Sequence, residues 1–101
     1  MTRLIYTLSK SSRKDKKWMV ETPEGKTIHF GAAGYEDYTM HKNQARKNSY
    51  IVRHQMNENW NDLNTAGAWA KGLLWSEPTL EKSIKKMQSK FSIKIVRESL
   101  N

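Results

Sequence analysis

Cysteine is absent from this 101-residue chain, proline occurs twice and glycine five times. No stretch approaches the ~20 apolar residues that a membrane-spanning helix needs. Without cysteine there can be no disulfide, thiolate metal site or cysteine nucleophile, and the composition fits a reducing compartment. The opening MTRLIYTLSKSS lacks the apolar length and small-residue cleavage site of a signal peptide, so a soluble, intracellular protein with no membrane span is expected. Acidic residues are also scarce: 10 Asp and Glu stand against 18 Lys and Arg, a formal charge of +8 at pH 7. Self-repulsion on that scale favours an anionic partner, whose binding neutralises charge and releases counterions. This implies affinity for charge, not for a particular base sequence.

What is present can still fold. The length suits one domain spanning residues 1–101 with a modest core. Four Trp, four Tyr and two Phe supply large burial areas from few positions. No internal repeat and no linker long enough to divide domains is visible.

Residues 3–8 (RLIYTL) have the β-branched and aromatic content of a short strand, followed by the cationic loop SKSSRKDKK. In KWMVETPEGKTIHFG, Pro23-Glu24-Gly25 suits a tight hairpin turn, because proline presets φ and glycine accepts a positive φ. Placing Thr22 opposite Lys26 pairs Val20 with Ile28 and Trp18 with Phe30, which puts all four apolar side chains on one face. Met19, Glu21, Thr27 and His29 take the reverse face. Gly31-Ala32-Ala33-Gly34 begins a loop that lacks both phosphate-cradling glycine patterns.

From about 39 to 57 the spacing predicts a helix with Ala45, Ser49, Val52 and Met56 on one side. A second stripe of Lys42, Arg46, Tyr50, Arg53 and His54 runs beside it. Residues 57–64 read as a loop anchored by Trp60 and Leu63. Ala66, Trp69, Ala70, Leu73 and Leu74 follow the spacing of a core-facing helix, which Asn64 or Thr65 can cap. Ser76-Glu77-Pro78 ends it and starts another helix. There Leu80, Ile84, Met87 and Phe91 form the apolar stripe and Lys82, Lys85, Lys86 and Lys90 the outer face. Residues 92–98 (SIKIVRE) read as a strand joining the N-terminal sheet.

His29, His41 and His54 are too scattered for a local ligand motif, so neither a metal nor another cofactor is expected. Metal-dependent nuclease chemistry would need a carboxylate for the cation, and Glu36, Asp37 and Glu58 are candidates without a recognisable spacing. Enzyme activity is therefore not the expectation. The stripe on the 39–57 helix has a more direct meaning: Lys and Arg neutralise phosphates, and Tyr50 can stack or donate a hydrogen bond. The competing reading is an ordinary solvated helix face with Tyr50 partly in the core. Trp60, flanked by Asn59 and Asn61, is read as an exposed ring able to stack on a base.

Taken in order, HFG (29–31), GYEDYTMHK (34–42), ARKNSYIVRH (45–54), NENW (57–60), TAGAWAKGLLW (65–75) and PTLEKSI (78–84) resemble a family of small basic proteins encoded by large double-stranded DNA viruses. The similarity runs from Lys17 to Phe91 and leaves out the N-terminal strand, the basic loop and the final strand. It implies a viral source and an infected-cell or virion location, and brings no catalytic residue.

The resulting expectation is an α+β domain: a small antiparallel sheet, the hairpin 17–31 plus terminal strands, packed against about three helices. Its expected function is non-enzymatic nucleic-acid binding, with DNA favoured over RNA. Contacts are assigned to Arg13, Lys14, Lys16, Lys17, Lys42, Arg46, Tyr50, Arg53, His54 and Trp60. The alternative is a minor capsid or cement protein whose cations bridge acidic capsid proteins.

Overall fold

A computed structural model describes residues 3–98. Residues 1–2 and 99–101, which the single-domain expectation included, lie outside the described residues. The strands are β1 (Leu4–Lys10), β2 (Lys16–Glu21), β3 (Thr27–Ala32) and β4 (Ile93–Arg97), in sheet order β3-β2-β1-β4. The helices are α1 (Tyr38–His41), α2 (Gln44–His54), α3 (Ala66–Trp69), which continues into a π-helical turn (Ala70–Leu74), and α4 (Leu80–Phe91). This is an α+β fold with three substantial helical bodies and the single turn of α1.

The β2–β3 hairpin has the register its alternation dictates: Trp18 pairs with Phe30, Val20 with Ile28. Thr22 closes the turn by accepting from and donating to Lys26, and Gly25 adopts φ 87°. On the inner face Tyr6, Leu8, Val20, Ile28, Phe30, Ile93 and Ile95 are buried beneath Trp69, Leu73, Leu74, Ile84 and Met87. Trp69 is the centre of this core. It is fully buried, its ring lies 5.2 Å from that of Tyr6, and its indole N–H donates to the Leu63 carbonyl at 2.9 Å. That bond satisfies the one polar group that burial would otherwise strand.

The sheet is mixed rather than antiparallel. β4 pairs with β1 in parallel, Leu4 with Ile93 through Leu8 with Arg97, while β1 and β2 are antiparallel. Strand alternation in SIKIVRE specifies which side chains face inward and carries no information about chain direction. Direction is set by α4, which packs across the sheet and hands the chain to β4 through Ser92, held at φ 53°.

The region expected as one helix over 39–57 is two. Asp37 caps α1, Lys42 takes a left-handed conformation at φ 55°, and the Asn43 side chain accepts from Arg46 N to start α2 afresh. The inward face of α2 also differs from the expected Ala45, Ser49, Val52 and Met56. Val52 and Met56 are exposed, while Tyr50, Ile51 and His54 turn toward the body. Burying a large tyrosine ring against Trp75 outweighs burying small or flexible side chains, and Met56 lies beyond the helix end. The following segment matches its pattern better: Thr65 caps α3, and Trp69, Leu73 and Leu74 are buried, although Ala66 is exposed. Pro78 precedes the α4 cap, Thr79, instead of occupying the first turn.

Candidate nucleic-acid interface

A cleft of about 710 Å³ opens between the end of β3, the 35–37 loop, α2 and Trp75. Its volume lies within the range that encloses small ligands. Glycine at position 31 makes it possible: φ is 79°, and a Cβ there would meet Leu74 Cδ1 at 2.7 Å. A side chain there would force the buried Leu74 to shift at the cleft floor and would be strained at this positive φ.

Aromatic stacking builds the far wall. Tyr50 lies 4.3 Å from Trp75 with the rings 3° from parallel, and 4.1 Å from His54 at 21°. His54 Nδ1 donates to the Tyr50 carbonyl at 2.9 Å, which fixes the imidazole against the helix. Burial pushes the Tyr50 phenol well above its ordinary value; the Glu58 charge adds to this and Arg53 opposes it. With Tyr50 only 8% exposed, it has no ring face to offer a base. Its place is in the wall, and His54 is the half-exposed ring of the stack.

Lys17, Arg46, Tyr50, Arg53 and His54 meet at this cleft. Carboxylates come with them. Lys17 Nζ lies 2.7 Å from Asp37 Oδ2, and both side chains are largely buried. Asp37 also accepts from Thr39 N at 3.0 Å and from the Thr39 hydroxyl, so its carboxylate is held by a lysine and a helix cap together. Arg46 lies 3.3 Å from Glu36 in an exposed pair. On the β1–β2 loop, Arg13 grips Asp15 with two bonds of 2.9 and 3.1 Å. Partial desolvation would raise the Asp15 carboxyl, but the Arg13 guanidinium outweighs it and holds the group below the ordinary aspartate range.

The other expected cations are arranged differently. Lys42 donates to the Thr39 carbonyl at 2.8 Å, and Lys14, Lys16 and Arg53 have no ion-pair partner among the described residues. The loop is tied to the segment after β3, since Ala33 N donates to the Asp15 carbonyl at 3.0 Å, but Arg13, Lys14 and Lys16 do not line the cleft. Trp60 is not part of this site. It is half-buried on the other side of the π turn, where its indole N–H donates to Glu58 at 2.9 Å. Of the candidate metal carboxylates, Asp37 is engaged as a cap and Glu58 by Trp60. No group of three or more potential metal ligands forms among the described residues.

Three lysines outside the expected set are placed beside aromatic rings: Lys47 over Tyr38 at 5.0 Å, Lys71 over Trp60 at 5.2 Å and Lys90 over Phe91 at 5.2 Å. Lys71 had a signal in the sequence, as the single charge within the apolar run AGAWAKGLLW. Lys47 had none.

Fold and cleft together define a small mixed-sheet α+β domain with a basic, aromatic-walled depression on its helical side. Over residues 6–54 the chain matches a family of unknown function (DUF5754). That segment runs from within β1 to the end of α2. It takes in the N-terminal strand and basic loop that the resemblance stated above left out, and stops before Trp60, Trp75 and α4. No curated protein and no solved structure matches the chain. Among the described residues, no helix is long and apolar enough to cross a membrane.

Proposed function

We propose that this protein binds nucleic acid without catalysing a reaction on it, with phosphates seated along the rim of the cleft. The observation that carries this reading is the meeting of Lys17, Arg46, Arg53 and His54 at one concave site in a chain of formal charge +8. Arg53, Lys14 and Lys16 are ready to meet phosphate. Arg46 and Arg13 exchange an exposed carboxylate for it at little cost, because water and salt screen such exposed pairs. Lys17 stays with Asp37 and shapes the rim. The resemblance to proteins of large double-stranded DNA viruses supports a viral source and DNA as the partner.

Titration of short labelled duplex DNA at increasing salt tests the proposal. Log affinity should fall linearly with log salt at roughly 0.9 per phosphate neutralised, and Arg53→Ala should reduce the slope by about 1. Absence of binding at low salt rejects this reading and leaves the capsid alternative, in which the same rim meets acidic protein surfaces.

A further inference from the structure

The side of the π turn facing away from the cleft carries a second cationic feature. Lys71 projects from the turn between Trp60 and α4, where Lys86 and Lys90 stand one helical turn apart. Lys71 Nζ lies over the Trp60 ring at 5.2 Å, and Lys90 Nζ over Phe91 at 5.2 Å. Lys47 approaches from α2, donating to the Ser76 carbonyl at 2.6 Å. Compensation is thin: Glu77 is 3.9 Å from Lys86, and Glu58 accepts from the Trp60 indole. Burial lowers the Lys71 ammonium below its ordinary value, and the charges of Lys90, Lys86 and Lys47 lower it further. A half-buried ammonium sharing a groove with Lys86 and Lys90 makes a site of positive potential.

Close packing holds these groups together. A Cβ at Gly72 would meet Met87 Sδ at 2.5 Å, so α4 sits directly on the π turn and its lysines are brought to Lys71. π turns inside helices are frequent at functional sites.

We propose that this groove is a second nucleic-acid contact, specific for single strands: a backbone phosphate sits among Lys71, Lys86 and Lys90, and an unpaired base lies on Trp60. The enclosed space is about 40 Å³, too small for a nucleobase, so only phosphate oxygens reach inward and the base takes the outer ring. Lys71 leaves the indole face for the phosphate as the base arrives. Stacking on the half-buried Trp60 ring requires a base free of its own duplex neighbours, which selects single strands over double strands. The site does not depend on the cleft.

Oligo-dT, duplex DNA and inorganic polyphosphate are the probes, read by anisotropy and by tryptophan emission. Oligo-dT should quench part of the emission, and Trp60→Phe should remove that part. Trp60→Ala should weaken oligo-dT binding by roughly fivefold to a hundredfold. Lys71→Met and the exposed Lys90→Gln should weaken it too, while duplex binding and its response to Arg53→Ala stay unchanged. Circular dichroism and the melting temperature confirm that each variant is folded; should Trp60→Ala fail to fold, Lys90→Gln and Trp60→Phe still decide. Unchanged oligo-dT affinity in Lys71→Met and Lys90→Gln overturns the proposal. Equal quenching by polyphosphate and oligo-dT overturns the base-stacking half.

Discussion

The two faces of one short helical turn treat positive charge in opposite ways. On the cleft face, two cations arrive with acids, Lys17 with Asp37 and Arg46 with Glu36, and only Arg53 has no such partner among the described residues. On the groove face, Lys71, Lys86 and Lys90 gather around the rings of Trp60 and Phe91, with Lys86 ion-paired to Glu77 at 3.9 Å. The net charge of +8 is silent about this division. What separates a stabilising pair from a binding surface is where the few acids are placed. The cleft uses charge for shape, whereas the groove holds repulsion that salt, a bound anion or loss of the Lys71 proton relieves.

The contrast can be broken most severely at Asp37. Removing its carboxylate leaves Lys17 buried without a partner and uncaps α1, so Asp37→Ala should cost about 3–5 kcal/mol in urea denaturation. Adding Lys17→Met should recover much of the loss, because the uncompensated charge is gone. A cost below about 1 kcal/mol in the single variant would show that the pair does not hold the cleft.

Alkaline stability sharpens the comparison, because the two faces respond with opposite sign. Tyr50 is raised in the folded state, so its contribution is complete below about pH 10 and is lost as the pH climbs beyond. Lys71 is lowered, so the folded protein gives up that proton first and stability gains between its folded value and the ordinary 10.5. Stability measured from pH 8 to 11 should therefore fall less steeply in Tyr50→Phe and more steeply in Lys71→Met. Parallel curves for both variants and the parent would remove this distinction.

The smallest effect belongs to Lys90→Gln, which takes one charge from the groove. It should stabilise the free protein by a few tenths of a kcal/mol at low salt, with the gain vanishing near 1 M. Destabilisation at low salt would mean that the lysines there are already compensated.

Legibility in the sequence followed the range of the interaction. The hairpin was readable to the residue, since Trp18, Val20, Ile28 and Phe30 alternate on either side of Pro23-Glu24-Gly25 and the turn fixes the register. The burial of Trp69, Leu73 and Leu74 followed from helical spacing, and that of Ile84 and Met87 likewise. The break at Lys42 was not readable from apolar spacing, because it depends on Asp37 and Asn43 finding backbone N–H groups. The parallel course of β4 depends on packing by α4. At the candidate site, the α2 cations were nameable from their stripe. Their partners were not, since Glu36 and Asp37 reach Arg46 and Lys17 across loops. The groove needed α2, the 58–60 turn, the π turn and α4 at once, and no window of sequence contains all four.

Because β1 is hydrogen-bonded to β4, a chain emerging during synthesis must wait for nearly its full described length before the sheet's last seam can be sewn. Until then one flank of β1, with Leu4 and Ile5 half exposed even in the finished fold, offers unpaired backbone to whatever strand is nearby. Bringing such distant segments together also carries a large entropic barrier, which slows collapse to the native arrangement. Refolding should accordingly lag behind that of helical bundles of equal size, and intermolecular strand exchange at high concentration is the hazard that this topology carries.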